Sequence, residues 1–105
     1  MNEQVVSLKT TDILTIPLKF EITRIYPNPF NPSTRIVFLL PEQRKITAKI
    51  YDIVGREVAE IIKNKNYNAG EHTIQWNAEN LASGIYFFQL RADEAMVTRK
   101  VILMK

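Results

Sequence analysis

Three observations in the 105-residue sequence predict an all-β fold, an immunoglobulin-like antiparallel β-sandwich of about seven strands. Apolar and polar residues alternate with a period of two through most of the chain, as half-buried strands require. The apolar runs are short and recur about every ten residues, with turn-forming residues between most of them. No stretch carries the i, i+3, i+4 apolar stripe of an amphipathic helix.

The elements follow in order. Leu14, Ile16, Leu18, Phe20 and Ile22 fall on alternate positions with Pro17 interrupting, which predicts an edge strand or a linker leading into one. YPNPFNPS then places three prolines in eight residues. Each biases the residue before it (Tyr26, Asn28 and Asn31) toward extended backbone, so Pro27, Pro29, Phe30 and Pro32 predict a stiff, non-helical arm. Thr34 to Leu40 is apolar almost throughout, as in a central strand, and Pro41 ends it. Ile46, Ala48 and Ile50 face one way, and Asp52-Ile53-Val54-Gly55 turns the chain into a partner strand over 56–62. Gly55 is the natural residue there for a positive φ.

Residues 63–70, KNKNYNAG, read as a polar loop. Glu71 to Trp76 alternates again, with His72, Ile74 and Trp76 on one face. Asn77 to Ser83 makes a connection, with one helical turn expected around Leu81. Gly84 to Leu90 and Ala95 to Met104 are the last strands. Tyr86, Phe88 and Leu90 share a face, so the Tyr86 ring should be buried with its hydroxyl seeking a partner. Val101 to Met104 is apolar on both faces, which makes that strand either central or a docking surface.

Composition narrows the chemistry. With no cysteine and one histidine, the chain holds no disulfide, no thiolate metal site, no cysteine nucleophile and no multi-imidazole centre. Ser83, His72 and Asp52 make a triad only on paper, since nothing in their spacing favours one. Asp93-Glu94 and Glu57/Glu60 are better explained as a solvated turn and strand face than as glycosidase acids. There is no phosphate-cradling glycine loop. Amide oxygens in the arm at 28–31 suit a hard cation in type, but no carboxylate ladder supports one, and no metal or cofactor is expected. The net charge of +3 is dispersed rather than gathered into a stripe, which argues against nucleic acid. The opening MNEQVVSLKTTDILTIP has no basic segment followed by an apolar core, so no secretory signal is read there. A non-catalytic domain is expected.

Four segments together carry a resemblance: YPNPFNPSTRIVFLLPEQ, KITAKIYDIVGREVAEI, AGEHTIQWNAENLASGIYFFQL and TRKVILMK. The chain resembles the type A C-terminal sorting domain of the bacterial type IX secretion system over about residues 18–105. It also resembles, more loosely, the immunoglobulin-like domain of flagellar hook-capping proteins. The first resemblance implies a module at the end of an exported cargo. That cargo would pass through the periplasm to the outer-membrane surface or extracellular space. The module would be recognised by the outer-membrane translocon and removed by a sortase-like cysteine peptidase. It also implies recognition roles for Gly84 and Tyr86 of the Gly-x-Tyr motif, for the terminal Lys105 and for Gly70. Gly55 and Trp76 join the arm prolines and Phe30 as structural residues. Asn68 and Ala69 stand where the family often has proline ahead of Gly70, and Asn77 where it often has aspartate. Residues 1–17 are expected to be cargo linker or an added strand, and strand-rich sequence there suggests a homodimer by strand pairing or swapping. The second reading is a structural module without a sorting role, as in hook-capping, adhesion or carbohydrate-binding proteins. For carbohydrate, Tyr26, Tyr51 and Tyr67 lie on separate segments and predict no flat aromatic row.

Overall fold

The computed structural model describes residues 19–105, and the expected linker or strand over 1–17 lies outside them. Seven strands run in chain order: β1 Glu21–Tyr26, β2 Ser33–Leu40, β3 Arg44–Tyr51, β4 Glu57–Tyr67, β5 Gly70–Asn77, β6 Gly84–Ala92 and β7 Ala95–Leu103. All strand pairings between them are antiparallel. They form one sheet in the order β1-β2-β5 and another in the order β4-β3-β6-β7. This is the immunoglobulin-like sandwich, with one departure from the constant-type arrangement. The fourth strand pairs with the third rather than with the fifth.

The period of two builds the core directly. Ile36, Phe38 and Leu40 of β2, Ile46, Ala48 and Ile50 of β3, and Tyr86, Phe88, Leu90 and Ala92 of β6 all point between the sheets and are buried. Ile74 and Trp76 from β5, and Val101 and Leu103 from β7, complete the cluster. β2 is central in its sheet, as its continuous apolar run predicts. Burying a side chain of Leu or Phe size contributes about 1.5–3 kcal/mol against exposure. These residues therefore set the stability of a chain that has no cross-link.

Three expectations are corrected. The stretch 63–67 is strand rather than loop, because β4 continues to Tyr67, paired with β3 through Ile46↔Lys65 and Arg44↔Tyr67. Its polar composition reflects an edge strand with solvent on its flanks, where lysine also discourages pairing with other chains. Only Asn68 and Ala69 connect β4 to β5, and Gly70 begins β5 at φ +127°. Among the described residues the strand before the arm runs over 21–26, past Ile22 where the alternation stops, while Leu14 to Leu18 lie outside the described residues. The pairing of β1 with β2 slips between Ile22 and Arg24, and that bulge hides the period. The helical turn around Leu81 is a single hydrogen-bonded turn, in which the Leu81 N–H donates to the Ala78 carbonyl at 3.0 Å. No helix forms in residues 19–105.

Candidate functional site: the arm, the motif turn and the chain end

One end of the sandwich gathers the arm at 27–32, the turn at 78–83, the β3–β4 hairpin tip and the chain terminus. The arm bridges the two sheets. The Pro27 carbonyl accepts from the Thr34 hydroxyl at 2.7 Å, and the Pro32 carbonyl accepts from the Ala78 N–H at 2.8 Å. Thr34 is 1% exposed, so this bond satisfies a hydroxyl that would otherwise be costly to bury. Between these points the arm runs along the outer edge of β7. The Phe30 N–H donates to the Ile102 carbonyl at 2.9 Å, and the Met104 N–H to the Phe30 carbonyl at 2.9 Å. The Asn28 side chain adds two bonds, accepting from the Ile102 N–H at 3.0 Å and donating to the Lys100 carbonyl at 3.2 Å. Phe30, 2% exposed, seats its ring against Trp76 with centroids 5.1 Å apart.

The last strand is therefore an edge within its sheet whose C-terminal half is covered by the arm. Its apolar character on both faces has a specific cause. Val101 and Leu103 enter the core, Ile102 is half-buried, and Met104 is 58% exposed. Arg99 reaches across from β7 to the Ile22 carbonyl of β1, joining the two sheets at that edge.

The Gly-Ile-Tyr motif opens β6. Tyr86 is buried and its hydroxyl donates to the Ala82 carbonyl at 2.6 Å, four residues upstream. This is the geometry of the tyrosine corner of immunoglobulin-like domains, where a ring in the core ties its own preceding turn in place. Gly84 pairs with Leu103 on β7, and an added Cβ would meet only the Tyr86 ring, at 4.0 Å. No close backbone approach at Gly84 demands the absence of a side chain. Lys105 closes the turn from the other side. Its N–H donates to the Ser83 hydroxyl at 3.0 Å and its ammonium to the Glu79 carbonyl at 2.6 Å.

Gly84, Tyr86 and Lys105 thus converge on one turn, whereas Gly70 does not. It pairs with Leu40 at the far end of β5, roughly 23 Å from Asn77 at about 3.3 Å per residue.

At the hairpin tip, Asp52 accepts from the Val54 and Arg56 N–H groups, each at 2.9 Å, and from the Arg56 guanidinium at 2.8 Å. These bonds, the Arg56 N–H first, hold its carboxyl below its ordinary value. Gly55 sits at φ +92° as the turn requires. Ile53 and Val54 stand 70% and 74% exposed on this locked tip. Sequence reasoning passed over both, although two β-branched residues inside an Asp-x-x-Gly turn were a visible signal. Asn28, expected only as an extended residue before Pro29 with an amide oxygen suited to a cation, is instead a clamp on β7.

The paper triad does not assemble. Asp52 is bound to Arg56, Ser83 to the Lys105 N–H, and His72 Nε2 lies 2.7 Å from the Asn68 carbonyl. The Asn28 amide oxygen, considered for a cation, is taken by the Ile102 N–H.

The immunoglobulin-like module thus holds its Gly-Ile-Tyr turn and the segment after β7 together through Tyr86, Ser83 and Lys105. The chain belongs to the family of secretion system C-terminal sorting domains, whose model matches residues 24–104. It is a sorting signal of type IX secretion, part of a cargo protein that engages the type IX machinery and is exported to the cell surface or extracellular space. No curated protein matches the chain.

Proposed function

We propose that this domain is a non-catalytic signal read by the type IX outer-membrane translocon after its cargo has crossed the periplasm. The feature supporting this reading is β7, which is fastened by the arm, with Lys105 beyond it held on the Tyr86 turn. A strand held in fixed geometry gives a receptor one defined surface to read, with little ordering cost on binding. In this reading Gly84, Tyr86 and Lys105 act together, with Tyr86 setting the turn and Lys105 offering the exposed charge. Gly70 acts in the fold, at its positive φ, rather than in the same contact surface. The sortase-like cysteine peptidase acts on the segment ahead of the sandwich, with the domain boundary near residue 18. Pairing of two copies through residues 5–16 belongs to the same proposal.

Fusion of residues 1–105 to a signal-peptide-bearing reporter in a type IX-competent cell tests the reading by surface labelling. Deleting the strand from Val97 is a poor probe, because it also removes Val101 and Leu103 from the core. Lys105→Ala is better, since the residue is exposed and loses only one exposed hydrogen bond, to the Glu79 carbonyl, at about 0.5–1.5 kcal/mol. The expected result is surface exposure of the parent fusion and its reduction in a folded Lys105→Ala fusion. A reporter that stays periplasmic with the intact domain refutes the proposal.

A further inference from the structure

The outer face of the β1-β2-β5 sheet carries a feature that neither the fold nor the chain-end site explains. Register places Tyr26 beside Arg35 and Arg35 beside Gln75, and in the next row Arg24 beside Val37 and Val37 beside Thr73. Two adjoining concavities of about 250 and 140 Å³ share Tyr26 and Arg35 in their walls. The larger extends to Ser33 and Gln75, the smaller to Arg24 and Thr73. Val37 is the floor of the smaller one. It faces away from the core cluster yet is only 7% exposed, so the arginine and tyrosine stems on this outer face cover it.

The charges in this groove are unspent. Arg44 and Arg56 each hold a carboxylate, whereas Arg24 and Arg35 make no ion pair among the described residues. Glu21 and Glu71, both beside Leu39 at the other end of the face, are the acids in its next row, and Glu21 is paired with Lys19. The face is therefore polarised, basic toward Tyr26 and acidic toward Leu39. Tyr26 is 69% exposed beside these guanidinium groups. Tyrosine and arginine are the residues most often carrying binding energy at protein interfaces, above an apolar floor and inside a polar rim.

We propose that this groove is a docking site for an acidic peptide segment of a partner protein. Two carboxylates of the segment pair with Arg24 and Arg35 by charge-assisted hydrogen bonds. Its backbone crosses the Tyr26 ring, and Ser33, Thr73 and Gln75 take its polar groups. Polarity along the face fixes direction, since the acidic stretch is repelled from the Glu71 end. The site is on the outer face of the three-stranded sheet and meets the arm only at Pro27, away from Lys105 and the Tyr86 turn, so peptide binding and export are measured as separate properties.

The test is a titration of the ¹⁵N-labelled 105-residue chain with the capped peptide acetyl-DEGDE-amide, followed by amide and arginine Nε chemical shifts. Saturable changes confined to Arg24, Tyr26, Arg35, Thr73 and Gln75 are expected, with affinity falling as salt rises. Arg24→Ala or Arg35→Ala should each weaken binding about tenfold or more, the scale of one charge-assisted bond. Arg24→Lys and Arg35→Lys, which leave the fold least disturbed, should weaken it less but measurably, because lysine lacks the bidentate fork. Arg91→Ala on the other sheet should leave it unchanged. Digalacturonate and inorganic phosphate run as parallel arms. Shifts spread over the other basic residues, unchanged binding in both lysine variants, or tighter binding of digalacturonate at the same residues each overturn the assignment.

Discussion

Tyr86→Phe isolates what the Gly-Ile-Tyr motif does. The substitution keeps the buried ring and removes the hydroxyl that donates to the Ala82 carbonyl at 2.6 Å. A net intramolecular hydrogen bond contributes about 0.5–1.5 kcal/mol, and an acceptor left dry costs about 1–3 kcal/mol. Ala82 is exposed, so water replaces the lost donor in part and the expected loss is about 1–1.5 kcal/mol. Tyr86→Ala also empties the space of the ring, which is only 8% exposed, and should cost about 3–5 kcal/mol. Urea unfolding followed by the fluorescence of the only tryptophan, Trp76, reads both. At a slope of about 1.5 kcal/mol/M, Tyr86→Phe lowers the midpoint by about 0.7–1 M. Surface export of the reporter fusion is then measured on the still-folded Phe variant. A midpoint shift below about 0.2 M, or lost export from a fully folded Phe variant, would refute the view that the hydroxyl serves the turn.

The remaining predictions concern the clamp and the hairpin tip. Asn28→Ala removes two bonds to β7, at Ile102 and Lys100. It should destabilise by about 1–2 kcal/mol and speed hydrogen exchange at the Ile102 amide selectively; uniform exchange changes across β7 would point to global loosening instead. The Asp52 carboxyl is held below its ordinary value of 3.8 by the Arg56 N–H and its other donors. A lowered folded value means that its stabilisation is fully present above the unfolded value and fades as pH falls through the folded one. Asp52→Asn should therefore flatten the acid limb of the stability curve below about pH 4, and an identical acid limb in both proteins would contradict this.

The sandwich was legible because its signal is local. Inner-facing residues of β3, β5 and β6 announce themselves by alternation, β2 by its continuous apolar run, and burial confirms the face chosen for Ile74, Trp76, Tyr86, Phe88 and Leu90. Reading failed where pairing, not composition, makes the strand. Lys63 to Asn66 look like a loop because an edge strand there needs no apolar face. The first strand is masked by a bulge at Thr23.

The candidate site divides along the same line. Sequence alone determined the fold class, the motif series that marks the family, the proline arm as a non-helical segment, and the burial of Tyr86. Only tertiary structure decided that the arm lies on β7, that Asn28 grips Lys100 and Ile102 from more than seventy residues away, and that Gly70 sits apart from Gly84. It also decided that Arg24 and Arg35 share one groove with Tyr26. Alternation and turn preference act between near neighbours and are written in short words of sequence. Contacts between distant segments depend on strand order and register, which the whole chain settles at once when its two sheets close over one core.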